Sequence, residues 1–155
     1  MDPTYQIAEL NIINQIAELR WLAHWEDNES IKESKKEYVE RCVSFLEKEL
    51  NINWFHFVAN IDNEIIGIAS VFVFERLPAP GRMHAFNAYL TNVYIKKEHR
   101  KKGIGTNLIN KIKKWGEEKS INTIMLFSSE DGIKLYEKTG FKNKMNFYSL
   151  DTKAD

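Results

Sequence analysis

Thr91-Asn92-Val93-Tyr94-Ile95-Lys96-Lys97-Glu98-His99-Arg100-Lys101-Lys102-Gly103-Ile104-Gly105-Thr106 is the stretch from which the rest of the chain can be read. Its β-branched and aromatic opening predicts a strand, which runs into a basic turn and then into a helix that begins with two glycines. Helix N-termini expose unpaired N–H groups and carry partial positive charge, a geometry that binds anions. Gly103 and Gly105 lack a Cβ, so a phosphate can approach the backbone closely. Arg100, Lys101 and Lys102 add full positive charges, and the arrangement suits a diphosphate. Two familiar phosphate loops are excluded. No Gly-Lys-Ser/Thr triplet follows, and the dinucleotide fingerprint of three glycines with a downstream acid is missing. The plainer reading is a glycine helix start beside solvated lysines, and spacing alone does not separate it from a phosphate site.

On the C-terminal side, Gly103 to about Lys119 places Ile104, Leu108, Ile109, Ile112 and Trp115 on one helical stripe. Asn122–Phe127 predicts a short strand. Ser128 or Ser129 is expected to cap a helix running to Thr139, with Gly140 as its left-handed C-terminal residue. Lys144–Leu150 predicts a last strand. On the N-terminal side, Ala88–Ile95 is the strand that feeds the basic turn. Trp54–Ala59 and Ile65–Phe74 predict a hairpin about Asp62-Asn63. Ile12–Trp25 has apolar residues at helical spacing, and Tyr5–Leu10 alternates weakly enough for a short first strand. Ser34-Lys35-Lys36-Glu37 reads as a capping box that opens a helix with Tyr38, Val39, Cys42, Val43, Leu46 and Leu50 on one face. The order predicts an α/β fold with a mixed sheet, in which Ala88–Phe127 is a parallel strand–helix–strand unit with a right-handed crossover.

Composition narrows the function classes. A length of 155 residues suits one domain spanning 1–155. Hydrophobic residues make up 43% and charged residues 28%, as in ordinary globular chains. Lys plus Arg and Asp plus Glu are both 22, so net charge gives no reason to expect nucleic acid or a membrane as partner. The single cysteine, Cys42, excludes an intramolecular disulfide and fits a reducing compartment. No basic segment with an apolar core opens the chain, and no apolar run approaches the ~20 residues of a membrane helix. A cytoplasmic protein is expected. The four histidines are too dispersed for a metal site.

Arg100-x-x-Gly103-x-Gly105, between a strand and an amphipathic helix, resembles the acetyl-CoA signature of the GNAT superfamily of N-acetyltransferases. Leu135-Tyr136-Glu137-Lys138-Thr139-Gly140-Phe141 is similar to that family's Leu-Tyr-Glu-Lys-x-Gly-Phe ending, at about the family's distance from the first motif. The similarity extends from about Phe57 to Leu150; before it, only the two-helix pattern matches. It implies a mostly antiparallel sheet, flanked by helices and splayed into a V-shaped slot for acetyl-CoA, often with a bulge in the splayed strand. Backbone groups of Val93, Tyr94 and Ile95 would then face the acetyl and pantetheine parts. Amides of Arg100, Lys101, Lys102, Gly103, Ile104, Gly105 and Thr106 would hold the pyrophosphate. Tyr136 matches the usual general acid. Ser129 stands where many members carry Asn, with a shorter reach toward the pantetheine. Homodimers are common among relatives, which is analogy only.

Acetyl transfer needs a neutral amine, a donor for the developing oxyanion and a proton for the leaving thiolate. A backbone N–H near Val93 or Tyr94 suits the oxyanion, and Tyr136, with an ordinary pKa near ~10, suits the thiolate. The other reading of Tyr136 is a core tyrosine. Cys42 lies on an apolar helix face and reads as a packed thiol, so direct transfer in a ternary complex is expected rather than an acetyl-cysteine. Glu75 is a candidate base, though an exposed strand-end charge is the stronger reading. Asn92 can orient a water or the amine. Glu26, Asp27 and Glu29 either attract an amine or are solvated, the second being favoured. Trp21, Trp25, Trp54 and Trp115 are expected in the core or the helix–sheet seam, with Trp25 alternatively lining an acceptor slot. Residues 76–86 form a lid or a stiff hairpin connection. His84 and His99 are expected to be solvated, and His24 and His56 to pack or cap. The leading function is acetyl transfer to a small-molecule amine. The alternatives are a protein N-terminal or lysine acetyltransferase, an acyl-CoA sensor or scaffold without turnover, and an unrelated α/β nucleotide-binding protein.

Overall fold

The computed structural model describes residues 2–28, 30–83, 85–144 and 148–152. The strands are β1 (Thr4–Ile7), β2 (Trp54–Ile61), β3 (Glu64–Glu75), β4 (Phe86–Ile95) and β5 (Thr123–Met125), and the helices are α1 (Ile13–Asp27), α2 (Lys35–Glu49), α3 (Ile104–Glu118) and α4 (Ile133–Lys138). The sheet runs β1-β2-β3-β4-β5. Its first three pairings are antiparallel and β4–β5 is parallel, as the alternation of strand and helix after residue 86 requires.

Local chemistry explains most element ends. Ser34 accepts from the Glu37 amide while the Ser34 amide donates to the Glu37 carboxylate, so the capping box opens α2. Asp62 and Asn63 both have positive φ, as a two-residue hairpin turn between β2 and β3 demands. Residues 76–83 and 85–86 extend the β3–β4 hairpin, because the Arg76 amide donates to the Ala85 carbonyl and a turn closes from Ala79 to Arg82 around left-handed Gly81. These bonds are those of a hairpin connection, one of the two readings of this segment.

The sheet separates two apolar layers. On one face Ile104, Leu108, Ile109, Ile112 and Trp115 of α3 pack against Phe57, Ala69, Val71, Ala88 and Leu90. On the other, Ile13, Ile16 and Leu19 of α1 and Leu46 of α2 pack against Val58, Ile68 and Tyr94. Alternate residues of each strand supply the two layers.

Several boundaries differ from expectation. The strand expected over Asn122–Phe127 is only Thr123–Met125, and Phe127 is exposed. No serine side chain caps the helix before Thr139. A 3-10 turn at Glu130–Gly132 intervenes, and Ser128 instead donates to the Ser129 carbonyl. The first strand is shorter than Tyr5–Leu10, since a 3-10 turn begins at Leu10. The strand expected at Lys144–Leu150 falls on residues 145–147, outside the described residues. The described residues beside them, 144 and 148–150, are not in strand. Trp25 is exposed and stacks on Trp21 instead of joining the core, whereas Trp115 is buried between Phe55 and Phe57.

Candidate active site

The slot originates in a mismatch of strand lengths. β5 pairs with Asn87, Ala88 and Tyr89 and then stops, while β4 continues to Ile95. Residues 90–95 thus have β3 on one side and, among the described residues, no strand on the other. Within that stretch the β3–β4 register shifts. Ser70 opposes Thr91 and Ile68 opposes Tyr94, so Asn92 and Val93 together face Ala69. This is a bulge, and Asn92 takes the left-handed conformation at φ 50°. The Lys96 amide donates to the Ile66 carbonyl. By the alternation of an antiparallel ladder, the Ile95 N–H and C=O then point away from β3, into the open side. The Ile95 carbonyl accepts from Arg100 Nε at 2.8 Å, which agrees with that direction.

The basic turn leads into α3 through two left-handed residues, Lys101 at φ 60° and Gly103 at φ 80°. Gly103 is the N-cap and no side chain caps this helix. The first intrahelical donor after it is Asn107, to the Gly103 carbonyl at 3.0 Å. The amides of Ile104, Gly105 and Thr106 precede that bond and form the unpaired helix start. The two glycines serve different needs. A Cβ on Gly103 would meet no atom within 4 Å, so its requirement is the backbone conformation. A Cβ on Gly105 would lie 3.3 Å from Leu135 Cδ2, so Gly105 also lets α4 approach α3. Arg100 is already engaged: its amide donates to the Lys97 carbonyl, its guanidinium donates to Glu26 at 2.9 Å, and it lies over the Tyr94 ring. Lys101 and Lys102 are exposed.

Glu26, at the end of α1, gathers this region. It accepts from the Tyr94 hydroxyl at 2.5 Å and from Arg100, with Lys97 at 3.9 Å. Burial works against its carboxylate, but the hydrogen bonds from Tyr94 and Arg100 and the nearby cations outweigh it, and its pKa is lowered overall. Burial and the same carboxylate push the Tyr94 hydroxyl up. Glu26 therefore latches α1 to the strand and the basic turn, and its charge is already matched. Glu29 lies outside the described residues, as does His84.

Tyr136 on α4 is half-buried, edge-on to Phe141 and against the α3 core layer. Burial, and the neighbouring Tyr89, raise its pKa above 10, so the ordinary value expected from sequence is corrected upward. The hydroxyl stays protonated across the neutral range. Ser129 stands close by: a Cβ on Gly132 would meet Tyr136 Cε2 at 2.9 Å and Ser129 Oγ at 3.5 Å. Glu75 lies elsewhere. It pairs with Phe86 at the far end of β3, six residues from Ala69, or roughly 20 Å along a strand.

Sequence reasoning missed a buried polar chain beneath the bulge. Asn92 Nδ2 donates to Ser70 Oγ at 3.1 Å, and Ser70 Oγ lies 2.8 Å from His56 Nδ1. Burial, with a smaller contribution from Arg20, lowers the His56 pKa to about 4. The available signal was alternation: His56 and Ser70 are polar residues at core positions of apolar strands. Among the described residues no group of His, Cys, Asp and Glu is placed to hold a metal ion. None of their helices is long and apolar enough to cross a membrane.

A strand that runs on beyond its parallel partner, a bulge on it, an uncapped glycine helix start and a tyrosine on the following helix make a fold of the acetyltransferase type. The sequence model of the acetyltransferase (GNAT) family matches residues 14–141, and the chain belongs to that family. No curated protein sequence matches it. Among solved structures, a predicted acetyltransferase with acetyl-CoA from Clostridium acetobutylicum is 24% identical, covers 96% of both chains and superposes with a TM-score of 0.76. An aminoglycoside acetyltransferase from an uncultured soil metagenomic sample is 18% identical over 99% of this chain and 97% of its own, TM-score 0.76. Glucosamine-6-phosphate N-acetyltransferase from Arabidopsis thaliana is 17% identical over 97% of this chain and 99% of its own, TM-score 0.70. At these identities the likeness is one of fold.

Proposed function

We propose that this chain is a cytoplasmic N-acetyltransferase that moves an acetyl group from acetyl-CoA to the primary amine of a small molecule, by direct attack in a ternary complex. The observation that carries the reading is the pairing of the β4 bulge with the uncapped start of α3 along one open edge. The residues fit the donor: amides of Ile104, Gly105 and Thr106 suit the pyrophosphate, with Lys101 and Lys102 beside them, and the outward N–H of Ile95 suits the pantetheine. Acetyl-CoA supplies an activated thioester acyl group. The backbone freed by the bulge offers hydrogen-bond donors where negative charge develops on the carbonyl oxygen. The new C–N bond forms as the C–S bond breaks. Tyr136 gives its proton to the departing sulfur, the amine releases one proton to water, and Tyr136 is restored from solvent. Cys42 plays no covalent part, because burial raises its thiol pKa and it packs against the α1–α2 layer.

Thiol release from acetyl-CoA, measured with a panel of primary amines and followed by mass spectrometry of the products, tests this reading. Acetylated amine and free coenzyme A in equal amounts are expected. Tight cofactor binding with no release for any amine would favour a sensor or scaffold instead.

A further inference from the structure

On the α1 side of the sheet, a guanidinium and a ring nitrogen face inward without an acidic partner. Ile13, Ile16 and Ala17 of α1 are buried. Arg20 continues the same stripe at helical spacing and is partly buried, at the seam between α1 and α2. The Arg20 guanidinium is hydrogen-bonded to the Tyr38 side chain of α2, and its charge also acts on His24, Cys42 and His56. None of these four is anionic at neutral pH. Burial raises Tyr38 to about 12 and raises Cys42, and burial lowers His24 and lowers His56 to about 4. Asp27 acts on His24, and Glu26 is held by Tyr94 and Arg100. Among the described residues Arg20 forms no ion pair, whereas Arg41 and Arg100 each do.

His56 lies on β2 and is 5% exposed. Asn92 already gives a hydrogen to Ser70 Oγ, so the assignment that leaves the fewest groups unmatched has Ser70 donating its own hydrogen to His56 Nδ1. The ring hydrogen then sits on Nε2, which is buried and has no partner among the described residues. Native structures seldom leave such a group unmatched.

We propose that Arg20 and His56 Nε2–H bind an oxyanion of the acceptor, a carboxylate or a phosphate, so that the substrate is a small amine bearing an anionic group. The proposal rests on the acetyl-transfer reading above and adds the acceptor's class. The chain His56–Ser70–Asn92 runs from the anion site to the bulge. An acceptor held by its anion beneath α1 is thereby anchored close to the bulge, where the acetyl group is to be received. Trp54, stacked beside His56, gives the site an apolar wall. A polycationic acceptor would meet the Arg20 charge, which no ion pair among the described residues offsets, and is selected against.

The test compares α-amino acids and amino-sugar phosphates with their methyl esters or dephosphorylated counterparts, by thiol release at saturating acetyl-CoA. The anionic member of a pair is expected to have kcat/KM at least about tenfold higher, the scale of one charge-assisted hydrogen bond. Whichever anion wins identifies its source. Arg20→Met should raise KM for that acceptor about tenfold, leave kcat within about threefold and leave the KM of acetyl-CoA unchanged, with partial recovery in Arg20→Lys. Should Arg20→Met fail to fold, the wild-type protein answers alone: the acceptor's amine-free acid should compete with it, and the corresponding neutral amide should not. Equal rates for charged and neutral partners, or equal inhibition by acid and amide, would overturn the anion site while leaving acetyl transfer intact. Absence of transfer to every amine would overturn the underlying reading.

Discussion

At the residue scale, Tyr136 and Glu26 carry separable loads. Tyr136 is half-buried with a raised pKa, so it donates a proton without being ionised beforehand. Tyr136→Phe is expected to lower kcat by about a hundredfold, the lower end of general-acid effects, with acetyl-CoA affinity kept. Thiol-release kinetics beside calorimetry measure both, and an unchanged kcat would remove Tyr136 from the mechanism. Glu26 holds the Tyr94 hydroxyl and Arg100. Glu26→Ala leaves two donors without their acceptor, and urea denaturation should show a loss of about 1–3 kcal/mol. Glu26→Gln retains one carbonyl oxygen and should lose less. The Tyr136 position was legible from its motif. The role of Glu26 was not, because its partners Tyr94 and Arg100 lie 68 and 74 positions away from it, and no local pattern encodes such a contact. His56 is similar: its polarity at a strand core position was visible, but its partner Ser70 belongs to the neighbouring strand.

At the element scale, the deciding feature is where elements end. The α3 start needs a residue at φ 80°, and Gly103 supplies it. Gly103→Ala is expected to cost about 1–2 kcal/mol in urea denaturation through the left-handed conformation alone, since its Cβ would touch nothing. An unaffected midpoint would contradict the assigned backbone. Strong periodicity made α3 and the capping box of α2 readable in advance. The short β5 was not readable, because Leu126 and Phe127 have strand-like side chains, yet the chain leaves β4 after Met125 although β4 itself runs on to Ile95. The 3-10 turn before α4 was hidden for a related reason: serine is a good cap by type, but here Ser128 turns to the Ser129 carbonyl. The bulge entered only through resemblance. Asn92 tolerates positive φ better than most residues, a signal too weak to place a bulge by itself.

At the scale of the whole molecule, the sheet of the five described strands buries two apolar layers, and two of its buried polar residues, His56 and Ser70, lie beneath the bulge. One of the two makes stability depend on pH. His56 titrates near 6.5 when unfolded and at about 4 when folded, so the unfolded chain binds more protons between those values. Its contribution is fully present above about pH 6.5 and is lost as pH falls toward 4, by roughly 3 kcal/mol at most. The urea midpoint of the wild type should fall over that window by more than that of His56→Gln. Parallel falls would mean that His56 is solvated.

The central claim is that the open edge between β4 and the start of α3 receives the diphosphate and pantetheine of coenzyme A. Titration calorimetry of the purified chain with acetyl-CoA and with coenzyme A, repeated on Gly103→Asp, addresses it most directly. Saturable one-to-one binding of both ligands is expected, weakened at least about tenfold by the added side chain and negative charge. Heats indistinguishable from dilution for the wild type, or undiminished affinity in Gly103→Asp, would contradict it.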